Sequence, residues 1–219
     1  FAVPGGMTMP YPDLRHYSLR DYGNRVGIYR FLNAFDQYGI RPSFAISTEL
    51  AERAPYLLQR ICEREDELIC HGWNMDSLHY GGQPLAEESE LVERSITRLR
   101  ELSGQEISGW ISPARNESEN TPELLVQNGI RYFCDWVNDD MPYSFHTKSG
   151  DLTAMPLSNE LEDRFVLMNN LHSEQSWLEQ VCDACDFLLQ EAEFPLVATT
   201  DQEWHRLKDT IEKETQQFN

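Results

Sequence analysis

Basic residues are scarce in this chain: 18 Lys and Arg stand against 37 Asp and Glu, for a formal net charge of −19. A field of that sign repels nucleic acid and anionic membrane, so neither is expected as a partner. Much of the acid lies on polar runs such as Glu63-Arg64-Glu65-Asp66 and Glu87-Glu88-Ser89-Glu90, which read as solvated helix faces. Long apolar runs are also missing. None approaches membrane-span length, and no charged-then-apolar leader opens the sequence, so the chain reads as soluble and cytoplasmic. Cysteine is limited to Cys62, Cys70, Cys134, Cys182 and Cys185. An odd count without regular spacing argues against a disulfide framework and for a reducing compartment. Cys182 and Cys185 have redox-motif spacing but fall in the amphipathic stretch Glu174–Glu191, where they read as small apolar core residues. There is no Gly-x-Ser-x-Gly elbow, no phosphate-binding glycine loop and no basic-aromatic patch.

What remains is ordinary globular material, 219 residues long and 40% hydrophobic, enough for one α/β domain with a sizeable core. No low-complexity linker or internal repeat divides it, and a single domain over 1–219 is expected. Phe1–Pro12 reads as an extended loop. Helices are expected over Ser18–Tyr38, Pro55–Arg64, Pro84–Leu102, from Thr121-Pro122-Glu123 onward, over Glu174–Glu191 and over Asp201–Gln216. Gly39 and Gly104 stop two of them, and Thr121 caps the fourth, with Pro122 at its first position. Strands are expected over Pro42–Ser47, Glu67–Cys70, Ile107–Ile111, Ile130–Cys134, Leu152–Pro156 and Pro195–Ala198. Strand–helix alternation of this kind argues for parallel strands with covering helices.

Polar clusters follow three of these strands: His71-Gly72-Trp73, then Ser112-Pro113-Ala114-Arg115-Asn116, then Asp135-Trp136-Val137-Asn138-Asp139-Asp140. In a parallel sheet or barrel such positions converge on one face, where α/β enzymes keep their chemistry.

These segments, together with Pro12–Gly27, carry a resemblance. Over most of Pro4–Ser158 the chain resembles the polysaccharide deacetylase (carbohydrate esterase 4-like) superfamily, and within it the branch of metal-independent allantoinases and cyclic imide hydrolases. The resemblance implies a distorted (β/α) barrel and hydrolysis of a carbon–nitrogen bond. It also implies a first strand bearing an acidic residue just before Phe1, and a late Leu-His-Pro strand between Glu191 and Phe194. The sequence shows neither, so the expected barrel lacks both. The family's metal motif, His-[Ser/Thr/Gly]-x-x-His, is met by His71 but places Met75 where the second histidine belongs. Methionine is a poor ligand for a borderline divalent ion. No cofactor is therefore expected, and a zinc-like ion, if bound, would fall to His71, Asp76 and His79. The alternative for Asp76 is a turn cap, and for His79 an exposed loop position.

The proposed catalytic residues are His71, Arg115 and Asp135. His71 is the natural base or water activator, or else a histidine hydrogen-bonded behind its strand end. Gly72 beside it permits close approach of backbone to a ligand. Arg115 can hold a carbonyl through its forked guanidinium, or else pair with Asp135 or Asp139. One of these two aspartates orients His71 or binds substrate N–H groups. Substrate contacts are expected from His16, Tyr17, Trp73, Asn116, Trp136 and Asp139, with Trp73 and Trp136 either stacking on a planar ring or merely packing. Trp110 reads as core, Arg25 as a buried structural arginine, and His146, His172 and His205 as surface residues.

The expected activity is metal-free hydrolysis of a cyclic amide, imide or ureide. The alternatives are a metal-dependent sugar de-N-acetylase and an inactive binding or regulatory member of the family. A small-molecule substrate and a homo-oligomer are the expected partners.

Overall fold

Two short apolar runs, on either side of the helical segments Thr48–Arg53 and Pro55–Glu63, form β1 (Ser43–Ile46) and β2 (Glu67–Cys70) in the computed structural model, which describes residues 14–192. They pair parallel along their full length, with Ser43 opposite Glu67 and Ile46 opposite Cys70. β3 (Gly109–Trp110) pairs parallel with β2, and β4 (Tyr132–Phe133) pairs parallel with β3. β6 (Asp151–Ala154) follows β4 in parallel, and β5 (Tyr143–His146) closes the order antiparallel to β6. The sheet therefore runs β1-β2-β3-β4-β6-β5 and, among the described residues, stays open at β1 and β5. This is a mixed α/β fold with a parallel sheet and covering helices, as expected.

Backbone contacts divide the chain into two compact units, Phe1–Leu157 and Ser158–Asn219. In the first unit, α1 (Leu14–Tyr22) and α2 (Ile28–Tyr38) are separated by a widened turn over Gly23–Gly27. Gly39 ends α2 at φ +66° and Gly104 ends α5 (Leu85–Ser103) at φ +67°. Both are left-handed caps that glycine adopts at least cost. α3 (Thr48–Arg53), α4 (Pro55–Glu63) and α6 (Thr121–Gln127) complete the unit. Val92, Ile96 and Leu99 of α5 pack with Leu58 and Ile61 of α4, Leu68 and Cys70 of β2, and Trp110 and Phe133 in one buried cluster. These positions recur at helical spacing on α5, which is why one face of an otherwise acidic helix is buried.

Several local expectations are corrected. α3 and β5 lie in segments to which the sequence reading assigned no element. α3 forms because its first amides, Thr48 and Glu49, donate to the carbonyls of Gly72 and Trp73 at 3.0 Å. Thr121 is the first residue of α6, not its cap; its hydroxyl donates inward to Glu88. Arg25 is exposed and pairs with Asp21 at 3.4 Å. An open cleft of about 330 Å³ beside β1, lined by Phe31, Phe44, Ile46 and Leu57 among others, carries no titratable side chain and lies apart from the polar clusters.

The second unit holds a turn over Arg164–Asn169 and α7 (Glu174–Ala192). The Trp177 indole donates to the Leu161 carbonyl at 2.8 Å. Cys182 on α7 is exposed and Cys185 partly so, which corrects their reading as core. The expected Pro195–Ala198 strand, the Asp201–Gln216 helix and His205 lie outside the described residues, as does the Phe1–Pro12 loop. No described helix is long and apolar enough to cross a membrane.

Candidate active site at the strand ends

The parallel ladder continues past the strands by single bonds. His71 N donates to Ile46 O, Ile111 N to Cys70 O, and Cys134 N to Trp110 O, each at 3.0 Å. The three polar clusters therefore leave neighbouring strands in register at the carboxyl ends of the sheet. In parallel sheets neighbouring strands lie about 5 Å apart, so these loops form one patch.

His71 Nδ1 lies 2.8 Å from the Ile111 carbonyl oxygen. A carbonyl can only accept, so Nδ1 carries the proton and Nε2 holds a lone pair. Burial lowers the pKa of His71 below its ordinary value, against the Ile111 bond, which raises it; the ring is held neutral. Its orienting group is thus a backbone carbonyl and not Asp135 or Asp139.

Gly72 sits at φ +62°, and a Cβ there would fall 2.6 Å from Pro113 Cγ. The close approach this glycine permits in the folded chain is to Pro113 of the next loop. Gly72→Ala should therefore cost about 3 kcal/mol, from the left-handed backbone and the overpacked contact together. A fall in thermal midpoint of several degrees is the expected readout.

The second loop is strained. Ala114 and Arg115 hold φ of +57° and +53°, unusual for residues with side chains and common at functional sites. Asp135 is buried. Its Oδ1 accepts from Ser112 N at 2.6 Å and its Oδ2 from Ser112 Oγ at 2.7 Å, while Ser112 Oγ accepts from the Trp110 indole at 2.8 Å. Burial pushes the Asp135 carboxyl up to about 6, with the Ser112 bonds and the charge of Arg115 working the other way. Asp135 thus ties the second loop to the third.

Glu117, which sequence reasoning passed over, stands beside this pair. Its Oε1 accepts from the Trp136 indole, and its Oε2 is buried with no hydrogen-bond partner among the described residues. Burial pushes Glu117 up to about 7, helped by the charges of Asp135 and Glu88 against the Trp136 bond. The signal available was its position directly after Arg115-Asn116 in a strand-end loop.

The remaining candidates divide. Trp136 packs edge-on against Phe145 with ring centroids 5.1 Å apart and bonds Glu117 through its indole. Trp73 has the Arg94 guanidinium 3.6 Å from its ring centroid, so one face is already covered. Asn116 and Tyr17 are exposed. Asp139 is exposed and caps its loop by accepting from Met141 N at 3.0 Å. His16 falls within α1, and its side chain lies outside the description.

The residues named for a metal do not fit one. Met75 and Asp76 are exposed. Asn74, not Asp76, caps the turn by accepting from the amides of Asp76 and Ser77. His79 is fully buried, not an exposed loop residue, and its Nδ1 lies 3.3 Å from Glu88 Oε1, off hydrogen-bond geometry. Glu88 also accepts from Ser118 Oγ and Thr121 Oγ1. Burial pushes Glu88 up, but the His79 ring and these hydroxyls outweigh it and hold it below the ordinary value. Among the described residues no three His, Cys, Asp or Glu side chains come together as a metal-holding group.

The family model described as polysaccharide deacetylase matches residues 17–133. A peptidoglycan deacetylase of Helicobacter pylori is 24% identical over 135 residues, covering 59% of this chain and 43% of that protein. The solved structure of Puue allantoinase superposes with a TM-score of 0.72 at 26% identity, covering 82% of this chain and 59% of that one. A structure from Pseudomonas aeruginosa PAO1 described as a probable polysaccharide deacetylase superposes at 0.69 with 27% identity, over 80% of this chain and 58% of that one. The chain thus spans about half the length of these relatives.

Proposed function

From the premise that this chain belongs to the polysaccharide deacetylase family, we propose that it hydrolyses a non-peptide carbon–nitrogen bond in a cyclic amide, imide or ureide, with His71 rather than a metal activating water. The observation that carries this reading is His71 itself. Its Nδ1–H is committed to the Ile111 carbonyl, its Nε2 accepts no hydrogen bond among the described residues, and burial keeps it neutral. The similarity to an allantoinase structure supports the substrate class.

In this reading His71 Nε2 takes the proton of a water that attacks the substrate carbonyl. Arg115, held in a strained strand-end turn, offers its guanidinium to the carbonyl oxygen as negative charge develops. Asp135 acts through its neighbours. By clamping Ser112 it fixes the Ser112–Arg115 turn relative to the Trp136 loop. Trp136 forms one wall, and Tyr17 and His16 on α1 are proposed substrate contacts. A panel of succinimide, hydantoin and dihydrouracil, followed by chromatography of the ring-opened products, tests the proposal. Turnover of at least one ring is expected, and intact rings throughout, with N-acetylglucosamine oligomers deacetylated instead, would overturn it.

A further inference from the structure

We infer that Glu88 is a positioning residue: from α5 it fixes the far end of the Ser112–Ser118 segment, as Asp135 fixes the near end, and so holds Arg115 in place between them. The inference rests on the proposed carbon–nitrogen hydrolysis, in which Arg115 meets the carbonyl oxygen, and adds to it the group that keeps Arg115 there.

The segment does not hold its shape unaided. Ala114 and Arg115 are consecutive non-glycine residues at positive φ, and such conformations persist only where the surroundings over-determine them. Within the segment, Arg115 N donates to Ser112 O at 2.8 Å and Asn116 N to Pro113 O at 3.2 Å. Both bonds tie the turn to its own beginning, and neither fixes where it ends. Ala114 and Asn116 are exposed, while Ser112, Ser118 and Thr121 are buried. The strained tip thus stands between two buried feet.

Glu88 supplies the second foot. Its Oε2 accepts from Ser118 Oγ at 2.6 Å and its Oε1 from Thr121 Oγ1 at 2.5 Å, the short lengths of charge-assisted hydrogen bonds. Thr121 Oγ1 in turn accepts from Ser118 N at 2.9 Å, so the side chain and the backbone of Ser118 answer to one carboxylate. That carboxylate is firmly held, since Glu88 is fully buried and Val92, one turn along α5, lies in the core. The Trp136 indole also meets Glu117, but from an exposed position where water competes for the bond. His79 braces the two feet against each other. Its Nδ1 lies 3.3 Å from Glu88 Oε1, its ring meets Trp110 edge-on at 5.7 Å, and the Trp110 indole bonds Ser112 Oγ.

One test needs no turnover. Trypsin cuts after Arg115 only when the segment opens, so the rate of that cut reports how firmly the segment is held. Glu88→Gln keeps the volume but offers one acceptor for two hydroxyls. It should speed the cut after Arg115 about tenfold and leave the cut after Arg53 unchanged. Ser118→Ala, which removes a single hydroxyl, should act in the same direction and serves alone if Glu88→Gln does not fold. A wild-type rate after Arg115, or equal acceleration at Arg53, would overturn the clamp. The second test is a double-mutant cycle on whichever ring the wild type opens. Glu88→Gln should lower kcat about 100-fold with KM within threefold. In an Arg115→Ala background the same substitution should cost less than threefold, because there is no guanidinium left to misplace. Equal losses in both backgrounds would overturn action through Arg115 while leaving the hydrolase reading intact. Failure of the wild type on every ring would overturn the reaction and the positioning role with it, and the trypsin rates would still decide the clamp.

Discussion

His71→Asn should lower kcat/KM by about 1,000-fold on any ring the wild type opens, while leaving the thermal midpoint nearly unchanged. The amide nitrogen of asparagine reaches about as far as His71 Nδ1, so the donor to the Ile111 carbonyl is kept and only the basic Nε2 is lost. His71→Ala removes both. It should be equally inactive and less stable by about 1 kcal/mol, because the Ile111 carbonyl loses its partner. The pair separates chemistry from scaffolding: if His71 merely held the strand end, asparagine would preserve activity and alanine would not. The wild-type profile has a matching sign. Burial lowers the pKa of His71, so the base form persists below the ordinary histidine value and the acid limb of kcat/KM lies below pH 6.5. Equal activity in the wild type and the asparagine variant would remove His71 from the mechanism.

The second large effect concerns stability. Asp135 is buried, and burial pushes its carboxyl from 3.8 to about 6. The folded state therefore binds this proton more tightly than the unfolded chain does. Between about pH 4 and pH 6 the folded state holds more protons, so stability falls as pH rises through that window, by about 3 kcal/mol for a shift of this size. Below the window the contribution is fully present; above it the charged carboxylate is retained at a cost. Asp135→Asn should abolish most of this slope, read as the difference between variant and wild-type unfolding free energies at pH 4 and pH 7. It should also lose activity, because Asn cannot accept from both the amide and the hydroxyl of Ser112 through two oxygens. A variant with the wild-type slope would show that Asp135 is not the buried, protonatable clamp described here.

Glu67–Cys70 was legible to the residue, because four largely apolar positions are bounded by Asp66 and a His-Gly pair. α5 and its Gly104 stop were legible for the same kind of reason, a clear helical period ended by a residue suited to positive φ. β3 was expected over Ile107–Ile111 but pairs only at Gly109 and Trp110; its flanks are tied by single bonds, which composition does not distinguish from a ladder. β5 was missed although its hairpin signal was present: Thr147-Lys148-Ser149-Gly150 closes the turn, with Thr147 N donating to Gly150 O at 2.9 Å.

At the site, His71 and Asp135 could be chosen from sequence because strand-end polar residues converge in parallel sheets. Their partners could not. Ile111 reaches His71 through its backbone, which leaves no trace in residue type. His79 is buried because Glu88 sits on a separate helix, and the sequence between them gives no sign of that contact. Gly72 answers to Pro113, 41 positions away, and reads the same in sequence as a glycine that answers to a ligand.

The most direct test of metal-free activation by His71 is turnover of the panel by protein dialysed against chelator, with metal content measured on the same sample. Undiminished ring opening at well under one ion per chain is the predicted result. Loss of turnover on chelation, restored by stoichiometric Zn²⁺, would contradict the account and return the site to the metal-dependent deacetylases.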